Sequence, residues 1–456
     1  MLVGVPPSAA PDGSISEGSD LAIGAQSESI PSSASLRERL SSNPVFVRIA
    51  ERSTHNERVL YLQMAFQSIF LGGAMAFVPV FLVRLGAENW QVGLYTSLPA
   101  LLTTLLLLPA GALASRMTDL VKAVNLSRLA FRGVIGMLAF VPLLSPSLAP
   151  YAVVMGRTLI APASAMLNVT MTPVLGLVIE PARRMQVISG RMAVRSLAMA
   201  LVGLLAGLWL DNASYPLNYQ VLFVSGVVGC LMGVAVLSRL EVPEGQAAGK
   251  ATAPPRIRLR EVMAMLKRDR AFASYLAASL VLRTGLALVT AVMPVFQVRT
   301  LGASDGWIGV LLTVQRLVQM VAFVSLGALL RQRRYRRKLW MASLGMALVP
   351  LTSALAVTPA MLLIPSVLAG VFMAGLTVYL TNVLLSSSPD EHRPMYAALN
   401  ASVIQVTAFA APMVGSLLAD VIGIRVVLLA SAVIRAAGGL AFGMRRAQLK
   451  RERAAA

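Results

Sequence analysis

The sequence predicts an all-α polytopic membrane protein of twelve transmembrane helices arranged as two six-helix bundles. Three observations predict it: composition, a series of long apolar runs, and a line of sequence written twice. Of 456 residues, 57% are hydrophobic and 13% charged, with a mean hydropathy of +0.72. A soluble globule of this length carries about 25% charged residues. A helix needs about 20 mostly apolar residues, or about 17 at the shortest, to cross a bilayer. Runs of that kind occupy 59–84, 91–114, 125–147, 151–179, 188–210, 218–239, 272–299, 306–330, 339–358, 360–387, 396–419 and 424–444. They lack the sustained alternation that barrel strands require. Backbone groups in hydrocarbon must bond within their own segment, so each run is predicted to be a helix.

The charged residues orient those helices. A formal net charge of +20 raises the question of nucleic acid, but its distribution answers otherwise. Alternate connections are basic: Arg116 and Lys122, Arg183 and Arg184, residues 250–270, RQRRYRRK at 331–338, Arg393, and Arg445 to Arg453. The intervening connections hold Arg84, Arg299 and Arg425. Basic loops stay on the cytoplasmic side, which places both termini there. The octet 331–338 is read first as a topology anchor and second as a contact for anionic lipid heads.

The remaining pieces divide the chain. Residues 1–42 are expected to be a disordered cytoplasmic tail; through residue 34 they hold four acids and no Lys or Arg. The basic start and apolar core of a secretory signal are not present. The first bundle takes 43–239, opening with an amphipathic stretch at 43–58. A polar, basic linker at 240–270 separates it from the second bundle, 271–445, and 446–456 form a basic tail. Cys230 is the single cysteine, so neither a disulfide framework nor a thiolate metal cluster is expected. No metal and no cofactor are expected, and a monomer is.

The repeated line is PVFLVRLGAENWQVG at 79–93 and PVFQVRTLGASDGWIG at 294–309. With one inserted residue, Thr300, the match runs through Leu85-Gly86-Ala87 against Leu301-Gly302-Ala303 and on to Gly93 against Gly309. It returns at Gly111-Ala112-Leu113 against Gly327-Ala328-Leu329. A weaker echo links EPARRMQVISGR, after the fourth run, with SPDEHRPMYAAL, after the tenth. Copies six runs apart point the same way through the membrane, a parallel repeat enclosing a central site.

At this point the chain resembles the major facilitator superfamily of bacterial-type, twelve-span transporters, over its whole membrane region. The family's loop after spans two and eight reads Gly-x-x-x-Asp-Arg-x-Gly-Arg. Here the gating-loop positions are Gly111, Arg116, Asp119 and Gly327, with Ser115 where the family has Asp and Arg331 at that place in the second copy. Gly203 to Gly207 keeps the small-residue spacing of the exporter signature without its proline; such spacing is read as helix packing. The resemblance implies a plasma-membrane location. It also implies a cavity lined by spans one, four, seven and ten, with two, five, eight and eleven beside them.

Polar residues deep in the runs are the site candidates. All twenty Asp and Glu lie in tails, loops or run ends, so the titratable path of a proton symporter is missing. Arg157, Arg283, Arg316 and Arg435 lie within runs. Arg435 is taken as structural. Arg157 either snorkels or joins a polar stripe with Ala161, Ser164, Asn168 and Thr172. Arg283 and Arg316 are too deep to snorkel, and a midspan charge costs at least ~2.5–3.5 kcal/mol, so something compensates it. Gln315 and Gln319 flank Arg316. Gln63 and Gln67, Thr377 and Asn382, and Gln405 complete the predicted substrate-binding set.

The expectation is therefore a secondary or facilitative transporter of a small anionic or amphiphilic solute, working by alternating access, with export favoured over import. The alternative is a non-transporting sensor or assembly factor on a transporter scaffold. An enzyme is not expected: no HExxH and no nucleotide-binding Gly-rich Lys motif occurs.

Overall fold

The computed structural model describes residues 44–117, 120–179, 184–241, 265–329, 335–387 and 393–455. Residues 44–51, part of a separate unit, are helical. Eleven helices are long and apolar enough to cross a membrane. They are α1 (Thr54–Arg84), α2 (Asn89–Ala114), α3 (Val121–Leu143), α4 (Ala149–Met171), α5 (Gly190–Asn212), α6 (Leu217–Leu237), α7 (Arg270–Thr300), α8 (Asp305–Phe323), α10 (Pro359–Leu384), α11 (Met395–Ile422) and α12 (Ile424–Met444). Between α8 and α10 lies α9, a shorter apolar helix at Leu339–Ala354. No strand occurs among the described residues. Large apolar side chains such as Leu105, Leu143, Leu205, Val228, Val421 and Val433 point outward. Water would penalise such a girdle, whereas lipid does not.

The duplication is visible in the backbone. Gly86 and Gly302 occupy the same place in the two copies, and both have positive φ, 84° and 64°. Each ends its helix in a conformation that a side chain disfavours. Both repeated helices are also irregular upstream of their shared proline. In α1, residues Ile69–Ala74 widen into a π turn before Pro79. In α7 the α-helix stops at Leu288 and resumes at Val292, before Pro294. Proline removes one backbone donor and crowds the preceding turn. Counting back from the prolines, Ala74 aligns with Val289, so the irregular stretches meet at one position of the repeat. The single run read at 151–179 is likewise interrupted, with a turn at Ile160 ahead of Pro162.

Two long seams join the halves, α2 on α11 and α5 on α8, and the end of α7 also touches α1 and α2. The second seam is closest where Gly207 of α5 meets α8. A Cβ there would lie 2.9 Å from the Asp305 carbonyl oxygen and 3.0 Å from the Gly309 Cα. Gly203 and Gly207 are thus packing residues, as their spacing predicts. Burial follows the same geometry. At the end carrying the α1–α2 and α7–α8 loops, one apolar core runs across both halves and joins Phe77, Phe81 and Tyr219 to Ala291, Val295 and Ile308. At the opposite end the cores are separate, one around Leu60, Val124 and Leu237 and another around Phe272, Tyr275 and Tyr396. Among the described residues, the halves share a core at one end, the cemented end, and keep separate cores at the other, the parted end.

Candidate functional site

The cemented end is held by a crossed pair of contacts built from the repeated line. Arg84 Nη2 donates to the Ala303 carbonyl oxygen at 2.7 Å. At the matching position, Arg299 Nη2 donates to the Ala87 carbonyl oxygen. Arg84 also pairs with Asp305 at 3.3 Å, while Arg299 Nη1 reaches Asn89 Oδ1 at 3.4 Å. Asp305 is buried and accepts from Tyr219 Oη at 2.7 Å. Asn89 Nδ2 donates to Asp420 Oδ1 at 2.5 Å, and Ser304 Oγ to Asp211 Oδ2 at 2.7 Å. Deeper along the seams lie two further bonds: Thr313 Oγ1 to the Ala200 carbonyl oxygen at 2.8 Å, and Gln405 Nε2 to Thr104 Oγ1 at 3.1 Å. Thr104 is fifteen residues past Asn89, about 22 Å along α2.

A cavity of about 460 Å³ lies within the second half, lined among others by Arg283, Thr290, Gln297, Gln315, Thr407 and Arg435. The break in α7 opens onto it through Val289 and Thr290. Arg283 is partly buried, and its Nε donates to Ser279 Oγ one turn back at 3.1 Å. Arg435 is buried and donates to the Gly285 and Met346 carbonyl oxygens at 3.2 and 3.0 Å. Its charge ties α12 to α7 and α9, and its flank reaches the cavity.

Arg316 is not among the cavity's lining residues. Its Nη1 donates to Gln319 Oε1 at 2.9 Å, and its Nε is buried with no partner among the described residues. Arg195 of α5 lies five residues before Ala200, whose carbonyl oxygen accepts from Thr313, three residues before Arg316, so both arginines border the same stretch of the α5–α8 seam. Ser68 Oγ of α1, which donates to the Met64 carbonyl oxygen at 2.8 Å, lies 3.5 Å from the Arg195 carbonyl oxygen. Each half therefore contributes one guanidinium to the seam.

The other candidates separate into groups. Gln63 is buried and donates to Gln67 Oε1 at 2.7 Å, leaving its own Oε1 without a partner among the described residues. Arg157 lies 5.9 Å from the Tyr95 ring centroid, over α2. Asn168 is exposed. Thr377 and Asn382 bond carbonyls one turn back in α10, at Met373 and Val378. Gly111 is buried and Arg116 exposed at the end of α2, and Gly327 is helical; Asp119 lies outside the described residues. So do residues 180–183 and 388–392 of the weaker echo, and 331–334 of the basic octet.

Four arginines inside the apolar helices escape the sequence reading: Arg128, Arg132, Arg191 and Arg195. The signal was available, because Asn125, Arg128 and Arg132 fall on one helical face, as do Arg191 and Arg195. Their closeness to the starts of the runs gave them the look of topology charges.

The profile of the Major Facilitator Superfamily matches residues 60–360 and 300–455. The chain belongs to the Major Facilitator Superfamily. No curated protein matches it at a significant level. Solved structures share the superfamily fold at low identity. A bacterial homologue of the human lysosomal transporter Spinster, inward-facing and unoccupied, has a TM-score of 0.61 at 12% identity, covering 87% of this chain and 96% of that one. The nucleoside transporter NupG has a TM-score of 0.58 at 10% identity, over 86% and 99% of the two chains. A POT family transporter in complex with a thioalcohol-conjugated peptide has a TM-score of 0.64 at 11% identity, over 86% and 96%. Membership and fold together identify a membrane transport protein of this superfamily.

Proposed function

We propose that this superfamily member moves a small anionic or amphiphilic solute across the plasma membrane by alternating access. The observation that carries the reading is Arg316, whose Nε is buried without a partner among the described residues, with Arg195 bordering the same stretch of the α5–α8 seam. No carboxylate pairs with either among the described residues. Arg316 is eleven residues past Asp305, about 16 Å along α8 and so near the middle of a ~30 Å hydrocarbon core. An anion between the two guanidiniums satisfies both charges and draws the halves together; its departure leaves both uncompensated. Guanidinium grips carboxylate or phosphate with paired hydrogen bonds, which favours such groups over a simple hydrophobic cargo. The Arg283 cavity beside the seam receives the remainder of the solute, its Met and Val walls suiting an apolar portion.

The proposed topology has both termini in the cytoplasm and α9 as a twelfth crossing. Its helix continues back to Tyr335, twenty residues in all, or about 30 Å. The basic connections then mark the parted end as cytoplasmic, and the crossed contacts close the outside. With no acid at depth, exchange or facilitated movement is favoured over proton symport, and net direction follows the imposed gradients.

Counterflow in proteoliposomes loaded with organic anions tests the reading. Arg316→Gln and Arg195→Gln should each cut exchange about tenfold or more, with Arg316→Lys in between, because one buried charged contact is worth ~2–5 kcal/mol. Unchanged transport of every anion by both glutamine variants would remove the support. Collapsing the proton gradient at fixed external pH and potential should change the rate little. Strong dependence would instead point to Asp305, the buried carboxylate at the closed end.

A further inference from the structure

Three arginines of the first half take part neither in the crossed contacts nor in the cavity. Arg128 and Arg132 lie one turn apart on α3, and Arg191 lies near the start of α5. Their side chains are 5%, 4% and 3% exposed. Arg132 sits over Phe70 of α1 and beside Phe131, 4.9 and 5.6 Å from the ring centroids. Its Nη1 donates to the Arg128 carbonyl oxygen at 3.3 Å, an oxygen that also accepts from the Cys230 thiol of α6 at 3.7 Å. Arg128 Nη2 reaches the sulfur of Met171 on α4, a weak acceptor, at 3.5 Å. The like charges of Arg132, one turn on, and of Arg191 both act on Arg128.

Among the described residues, acids are scarce around Arg128 and Arg132. Helices α3, α4 and α6 carry no Asp or Glu. On α1, Glu57 is buried one turn before Tyr61, whose ring packs against Gly190 beside Arg191, but it is thirteen residues before Phe70, or about 20 Å from the ring beneath Arg132. On α5, Asp211 is twenty residues past Arg191, or about 30 Å. Among the described residues, Arg128 Nη1, Arg132 Nε and Arg191 Nε are buried without a hydrogen-bond partner, and so is Oδ1 of Asn125, one turn before Arg128. A guanidinium presents five donors, and leaving several unmade in a low-dielectric interior is expensive for each of them. Three such groups together, on an aromatic floor, amount to a counter-charge site.

We propose that the first half binds one tetrahedral oxyanion of phosphate type at Arg128, Arg132 and Arg191, distinct from the Arg195–Arg316 seam. Paired N–H groups match the oxygens of such an anion better than they match a spherical ion. Arg128 is seven residues into α3, about 10 Å from its start. That depth admits either free inorganic phosphate or the phosphodiester of an anionic lipid. In either case the anion acts as a fixed counter-ion that holds α1, α3 and α5 together, and the moving solute never displaces it.

The test uses the full chain, purified in neutral detergent and stripped of lipid. Its Tm is followed against sodium phosphate and against sodium chloride at matched ionic strength, then in nanodiscs of phosphatidylglycerol and of phosphatidylcholine. Phosphate or phosphatidylglycerol should raise the wild-type Tm saturably. A response to phosphate in detergent identifies the free anion, and a response confined to phosphatidylglycerol identifies the lipid. In Arg128→Gln and Arg132→Gln the half-saturating concentration should rise at least about tenfold, as for one lost charge-assisted contact. Arg316→Gln should keep the wild-type response even if it abolishes transport, which separates this site from the solute site. Should a glutamine variant fail to elute as a single species, Arg128→Lys takes its place, keeping the charge and losing the fork. The proposal is overturned by no response to either probe, by a full response in the Arg128 and Arg132 variants, or by loss of the response in Arg316→Gln.

Discussion

Arg84 and Arg299 stand at the same position of the two copies, and each donates to the alanine carbonyl of the other copy's loop, Ala303 and Ala87. Two residues beyond those alanines the copies part company. The second copy has Asp305, buried and ion-paired with Arg84; the first has Asn89, which accepts from Arg299 and donates to Asp420. The backbone contact has kept the two-fold pattern of the duplication, while the side chains have specialised. One crossing ends on a buried carboxylate, and the other ends on neutral acceptors and leans on a third residue. The difference teaches where the closed end should be strong.

The glycines of the repeat should separate the two seams most sharply. A Cβ on Gly309 would lie 2.7 Å from the Gly203 carbonyl oxygen, whereas one on its counterpart Gly93 would run into the Ser416 side chain, Oγ first and then Cβ at 2.9 Å. Gly309→Ala meets backbone and should weaken the closed end by about 3 kcal/mol, the upper part of the overpacking range. Gly93→Ala meets a side chain, so Ser416→Gly should rescue it, and no single substitution should rescue Gly309→Ala. The readout is labelling of a cysteine at Ala291, which is buried in the core shared by both halves, in a Cys230→Ala background. Equal labelling of the two alanine variants would erase the distinction.

Next in size are the arginines. Arg84→Ala strands a buried carboxylate that keeps Tyr219 as donor and should cost about 1–3 kcal/mol; Arg299→Ala loses neutral acceptors alone and should cost about 0.5–1.5 kcal/mol. Labelling that ranks them in reverse would mean that the charged crossing is not the stronger one. A smaller and more diagnostic effect comes from copying the acid into the first half. Asn89→Asp offers Arg299 an ion pair but sets a second carboxylate against Asp420, so labelling should rise. Adding Asp420→Asn should then bring it below the wild-type level. Smallest is Gln405→Ala, whose bond to Thr104 is exposed and whose loss should stay within about 0.5 kcal/mol.

The fold was legible because its determinants are local. Apolar length and the repeat depend on residues near one another in the chain, and α1 to α8 fall close to the runs. The crossed contacts were not legible, although both arginines were visible. Their partners lie more than two hundred residues away, and nothing in a lone Arg84 names Ala303. The arginines of α3 and α5 failed for another reason. A charge seven residues into a helix either snorkels to the interface or is sealed by neighbours. Which of these happens is decided by Phe70, Met171 and Cys230 on other helices.

The inserted residue of the second copy, Thr300, sits where α7 widens into the π turn Phe296–Thr300. A wider turn takes in one extra residue without shifting the residues after it, so Leu301, Gly302 and Ala303 keep the register of Leu85, Gly86 and Ala87. The end of α7 thus behaves as an expansion joint. Duplicated genes drift in length as well as in letters, and here a change of length is absorbed within a single coil. Deleting Thr300 should tighten that coil to an ordinary α turn and leave Arg299 facing Ala87, a degree of tolerance rare within a membrane helix.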